Sequence, residues 1–303
     1  MDLDNLVSAA IFIIAFFIFF LIGKVINDLL HREYKLNFEL VEKDNAALAL
    51  AVVGYYKLNF ELVEKDNAAL ALAVVGYYCG LVLAIGGTIA GPSAGLVDDL
   101  YDLVIYGILS IILLNISWFL CDKLILFKFR VSEELIRDHN QGTGVVSAGI
   151  SVASGFIIYG AVSGEGGSIW TVLVFWALGQ VLLILAGLVY ERITPYNIHE
   201  QIEKDNVAAG VSFAGAMVSI GIIIGLAGEG DFTAWSVDLP VYLGFAVLGL
   251  ILLPIIRLLT DKVLLPTVKL SDEIAAQEKP NVGAAYIEAF SYIAAAFIIS
   301  WCV

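Results

Sequence analysis

This sequence predicts an all-α, polytopic membrane bundle of eight spans, and three observations carry that prediction. Of its 303 residues, 60% are hydrophobic and 15% charged, against about 45–50% and about 25% in soluble domains. The apolar residues gather into eight runs, each near the roughly 20 residues needed to cross a hydrocarbon core about 30 Å thick. None of the runs shows the short alternating pattern of a membrane β-strand. Finally, all 16 lysines and arginines fall in or beside every second connection, as they do when cationic loops are retained in the cytoplasm.

The first span is Leu6 to Leu30. Its start, Met1-Asp2-Leu3-Asp4-Asn5, lacks the positive region of a signal peptide, so the span is expected to stay in the mature chain. The remaining spans are Asn67 to Ala90, Leu103 to Phe127, Gly142 to Val162, Ile169 to Tyr190, Val207 to Ala227, Leu239 to Thr260 and Val282 to Val303. Basic residues surround the first, third, fifth and seventh connections, from Lys24 and Arg32 through Lys123, Arg192 and Lys204 to Lys279. The other connections carry Asp98-Asp99, Gly164-Glu165-Gly166 and Gly228-Glu229-Gly230-Asp231 and no cation. Both termini are therefore expected outside.

Shifting the chain by 139 residues aligns it with itself without gaps. Glu64-Lys65-Asp66-Asn67 falls on Glu203-Lys204-Asp205-Asn206, and Asp122-Lys123 on Asp261-Lys262. The chain thus divides into two four-span halves, residues 1–166 and 167–303. Spans 1 to 3 of the first half lie in residues 1–141. Halves of like orientation imply a pseudo-twofold axis along the membrane normal. Each half is itself a doubled hairpin on this reading, because every even span opens with an asparagine behind charged residues: Asn67, Asn140, Asn206 and Asn281.

A second repeat is without drift: Tyr34 to Tyr55 recurs unchanged as Tyr56 to Tyr77, 22 residues each. The 139-residue register puts the second copy in place and makes the first the insert. With Gly54 as its one strong breaker, the expectation is a helix continuing through both copies. Whether the duplication is natural, engineered or an artefact of assembly stays open.

The paired-span unit, the charged step closing a span (Asp122-Lys123, Glu191-Arg192, Asp261-Lys262) and the Glu-Lys-x-Asn opening the next resemble the YjfL-type inner-membrane proteins that carry domain of unknown function 350. The resemblance covers nearly the whole chain as two four-span copies, from which the 22-residue insert departs. It implies a bacterial cytoplasmic-membrane protein and brings neither a reaction nor catalytic residues.

Ionisable groups inside a bilayer are costly and so mark candidate sites. Glu288 lies seven residues into the last span, about 10 Å deep. Arg257 stands at similar depth in the preceding span, so an Arg257–Glu288 ion pair is expected, with a titrating or ion-coordinating Glu288 and interfacial snorkelling as alternatives. Asn115 and Pro254 occupy equivalent mid-span positions, and with Gln180 they are read as packing or as parts of a conduction path. The charges beside the asparagines are expected to cap helices and anchor them at the interface. The alternative is a cytoplasmic mouth lined by Glu64, Asp66, Asn67, Asp122, Glu191, Glu203, Asp205, Asn206 and Asp261. Small residues in the fourth and sixth spans, Gly149 and Gly215 among them, place those two spans in the bundle centre.

Several classes are excluded or disfavoured. A net charge of −14 without a basic cluster removes the footprint of nucleic-acid binding. Cys79, Cys121 and Cys302 have no disulfide or metal spacing, and His31, His139 and His199 fall in separate connections, where solvated or interfacial positions are expected. No metal, cofactor or catalytic motif is expected, and no enzymatic activity. The function expected first is a channel or transporter for a small cation or solute; the alternative is a non-transporting scaffold that recruits a cytoplasmic partner. The bilayer is the expected environment, and association with further copies of the chain also stays open. An exposed Glu288 in a cavity near Asn115 would favour transport, and a paired, buried Glu288 the scaffold.

Overall fold

The computed structural model describes residues 3–30 and 60–302. The first copy of the 22-residue repeat, His31 and the first four residues of the second copy lie outside them. Eight helices among the described residues are long and apolar enough to cross a membrane, and no strand is present among them. They are α1 (Leu3–Leu30), α2 (Ala68–Ala90), α3 (Leu96–Leu124), α5 (Gln141–Val162), α6 (Ile169–Ile193), α8 (Val207–Gly228), α9 (Trp235–Leu259) and α11 (Val282–Cys302). Three short helices, α4 (Val131–Ile136), α7 (Ile198–Glu203) and α10 (Leu270–Ala275), lie in the basic connections. A single π-helical turn, Phe60–Glu64, holds the corresponding place before α2.

Two spans begin earlier than their hydropathy suggests. Helix α3 starts at Leu96 rather than Leu103, and α9 at Trp235 rather than Leu239. Acidic residues that read as loop are in fact the first turns, where a carboxylate suits the positive end of a helix. Asp99 accepts from the Ala94 amide at 2.9 Å, and Asp238 from the Thr233 and Ala234 amides at 2.9 and 2.8 Å.

The eight spans form two layers. Helices α2, α5, α8 and α11 pack side by side in that order, and α1, α3, α6 and α9 cover them. Small residues let the inner helices touch backbone to backbone. A Cβ on Gly155 of α5 would lie 2.6 Å from the Gly80 carbonyl oxygen of α2, and one on Gly149 would lie 2.8 Å from Ala214 Cα of α8. Helix α8 is buried along almost its whole length, whereas the covering helices turn large apolar side chains outward to lipid.

A pseudo-twofold axis between the halves would set α2 against α11 just as α5 lies against α8. Instead α2 and α11 stand at the two ends of the inner layer among the described residues, so the layer is open. At that end α11 exposes the bulky rings of Tyr286, Phe290 and Trp301.

The hairpin unit recurs in hydrogen bonds as well as in sequence. Each even span is capped by its asparagine, whose side-chain oxygen accepts from the amide three residues on: Leu70, Thr143, Ala209 and Ala284. Asn67, Asn140 and Asn206 also donate to a carbonyl of the next unit, on Leu135, Ile202 and Ile274, at 2.7–2.8 Å. One side chain thereby caps its own helix and ties it to the following hairpin. Ahead of three of these asparagines the chain turns through positive φ, at Asp66 (49°), His139 (51°) and Asp205 (57°). That left-handed step stops a helix. The break at Asp66 corrects the expectation of a helix continuing through both copies of the repeat: the membrane helix begins at Ala68.

Candidate functional site

Among the described residues, the carboxylate buried deepest is Glu288 of α11, with no exposed surface. Four other elements converge on it. Arg257, one turn before the end of α9, donates through Nη1 to Glu288 Oε1 and to the Tyr190 hydroxyl of α6, and through Nη2 to Ser271 Oγ of α10 at 3.1 Å. Tyr190 and Tyr292 donate their hydroxyls to the same carboxylate oxygen at 3.4 Å. Ser212 of α8 completes the surroundings. The guanidinium lies 5.8 Å from the Tyr190 ring centre and 5.9 Å from that of Tyr196, so aromatic faces replace part of its hydration. Tyr196, in the connection after α6, has its hydroxyl pushed up to about 12, first by burial and then by the Glu288 charge.

The cluster is a closed one. Its two charges neutralise each other, and the one sizeable cavity described below, of about 570 Å³, does not reach it. Glu288 Oε2 has no hydrogen-bond partner, and the Ser212 hydroxyl beside it is likewise unused. Rotation of that hydroxyl would satisfy both.

The other intramembrane candidates lie elsewhere. Asn115 of α3 donates to the Tyr77 hydroxyl at 3.0 Å and to the Ile111 carbonyl at 2.8 Å, and Tyr77 donates on to the Gly23 carbonyl of α1 at 3.2 Å. This neutral chain ties α1, α2 and α3 together. Gln180 accepts from Ser154 and Cys121 at 3.4 and 3.7 Å, joining α6 to α5 and α3. Pro254 lies inside α9, three residues before Arg257.

Several of the charges named for a mouth bond to nearby segments. Asp261 accepts from the first amide of α10, Leu270 N, at 2.8 Å, and Asp205 from Gly142 N of the preceding unit at 3.1 Å. Glu191 meets His199 and Lys128, and Asp122 is 3.5 Å from Lys123. Asn67 and Asn206 are the buried caps described above, while Glu64, Asp66 and Glu203 are exposed.

Sequence reasoning missed the three tyrosines and two serines around the Arg257–Glu288 pair, since their spacing says nothing of which spans adjoin. Of the two positions expected for the histidines, solvated or interfacial, His199 is not solvated: it is 6% exposed within the connection after α6. Its eight-residue spacing from Glu191 was the available signal.

A cavity of about 570 Å³ opens at the opposite, acidic end of the bundle. Asp102, Glu165, Glu229, Asp231 and Asp238 line it with Tyr106 and Phe232. The two turns at this end interlock beside it: the Glu165 amide donates to Asp231 Oδ1, and the Phe232 amide to the Glu165 carbonyl, both at 2.8 Å.

With this geometry in view, the model of the family described as Domain of Unknown Function (DUF350) matches residues 1–58, 56–162 and 166–303. The chain belongs to that family. It is similar to a UPF0719 transmembrane protein of Aquifex aeolicus (strain VF5), 25% identical over 291 residues that cover 95% of this chain and 97% of the relative. No solved structure matches the chain.

Proposed function

We propose that this integral membrane protein is a non-transporting, non-enzymatic scaffold that presents its basic end to the cytoplasm and recruits a protein partner there. The observation that carries the reading is the Arg257–Glu288 cluster: the carboxylate is paired and wholly buried among tyrosines. A carboxylate that relays ions needs an aqueous approach, and this one is enclosed by packing. The close contacts of α5 with α2 and α8 support a rigid inner layer in the same way. The basic end is assigned to the cytoplasm because lysine and arginine near span ends are retained there. The acidic cavity at the other end favours a second reading, uptake of a small cation, since clustered carboxylates raise local cation concentration.

Proton and cation flux into proteoliposomes separates the two. The chain, a version lacking Tyr34 to Tyr55, and Glu288→Gln in that shortened version are compared with empty vesicles. The scaffold reading predicts no flux above background from any of them. Flux that Glu288→Gln abolishes would replace it with transport.

A further inference from the structure

His199 is a histidine held between two acceptors. It lies near the start of α7, where Asn197 caps the helix by accepting from Glu200 N at 3.2 Å. Its Nε2 is 2.7 Å from the Ile125 carbonyl oxygen, at the C-terminal end of α3, and its Nδ1 is 3.2 Å from Glu191 Oε1 near the end of α6. A carbonyl oxygen can only accept, and so can a carboxylate. A neutral imidazole has one N–H and can satisfy one of them; the imidazolium has two and satisfies both.

The charged groups that face the ring are Glu191 from α6 and Lys128 from the turn after α3, itself 3.6 Å from Glu191. Phe127 packs on the ring with centroids 4.9 Å apart, and the neighbours from α8 and the rest of α6, Phe213 and Leu188 among them, are uncharged. On α7 itself Glu200 is paired with Lys204 at 2.6 Å on the exposed side. In the following unit, the position equivalent to Glu191 is Asp261, which accepts from a backbone amide and not from a titrating ring.

We infer that His199 is a pH-sensitive latch, fastening α7 across the ends of α3 and α6 when doubly protonated and loosening its hold on α6 when the ring loses a proton. On deprotonation the proton leaves to solvent, and a lone pair on one ring nitrogen faces an acceptor. With Nε2–H kept on Ile125, Nδ1 and the Glu191 carboxylate repel. Helix α7 has only six residues, too few to persist without its tertiary contacts. The surface it presents at the basic end therefore changes with pH. This inference stands on the ring's partners and holds whether or not that surface recruits a protein.

The test is hydrogen exchange by mass spectrometry on the full chain in lipid nanodiscs, following residues 194–205 between pH 5.5 and 8.5 after correction for intrinsic exchange. Loss of one charge-assisted hydrogen bond predicts exchange at least about tenfold faster at the higher pH. Glu191→Gln is the discriminating variant, because its amide nitrogen can donate to the neutral ring and close the latch at both pH values. The expected result is a pH-dependent wild type and a flat Glu191→Gln. A wild type whose corrected exchange does not change, or a Glu191→Gln that keeps the wild-type dependence, would overturn the assignment.

Discussion

The bundle fastens its two halves with different chemistry. In the first half, Asn115, Tyr77 and the Gly23 carbonyl form a neutral chain across α1, α2 and α3. In the second, Arg257 and Glu288 form a charged one across α6, α9, α10 and α11. The 139-residue repeat aligns Asn115 with Pro254 and Trp118 with Arg257, so the charge belongs to the second half alone. The difference teaches what each fastening demands. A neutral amide in lipid that loses its partner still has nearby backbone to bond, whereas a buried charge that loses its partner has nothing equivalent.

The largest expected effect follows from that asymmetry. Glu288→Ala strands the Arg257 guanidinium, and destabilisation of about 3–5 kcal/mol is expected in reversible unfolding from mixed micelles. Next is Gly149→Leu, which forces α5 away from α8 in the layer that both halves share. Overpacking at such a site costs about 1–3 kcal/mol or more, and the same unfolding assay reads it. Asn115→Leu tests the neutral side, with a loss of about 0.6 kcal/mol and no more than about 2. An Asn115 effect equal to that of Glu288→Ala would break the comparison.

The smallest effect concerns the hairpin latches. Glu134 accepts from the Asn140 side chain, and Gln201 does the same work for Asn206 one unit later. Burial pushes the Glu134 carboxyl above its ordinary range, with the Asn140 bond opposing. A folded carboxyl that binds its proton more tightly than the unfolded one adds stability below the ordinary value of 4.5, and that stability fades as pH rises through the folded value. Glu134→Gln is therefore expected to cost little at neutral pH and to flatten this decline, which thermal melts across pH 4 to 7 would detect.

The spans, their alternation and the asparagine starts were legible in the sequence, because apolar length and local capping are properties of short segments. Asp99 and Asp238 show how far that reach extends: hydropathy alone put them outside helices whose first turns they stabilise. What was hidden is which helices adjoin. The 139-residue repeat carries no information on whether two halves close around an axis or follow one another in a row. Among the described residues α2, α5, α8 and α11 follow one another, with small residues on both faces of α5 and α8. For the same reason Arg257 and Glu288 could be paired from their depths, while Tyr190, Ser212 and Ser271, contributed by three further elements, could not be found.

A double-mutant cycle on the Arg257–Glu288 pair tests most directly whether this cluster is a structural fastening. If it is, Arg257→Met combined with Glu288→Leu recovers most of the stability that either single change loses, because apolar side chains can replace a neutralised pair in a packed interior. A double variant that unfolds as readily as the sum of the two singles would contradict the account.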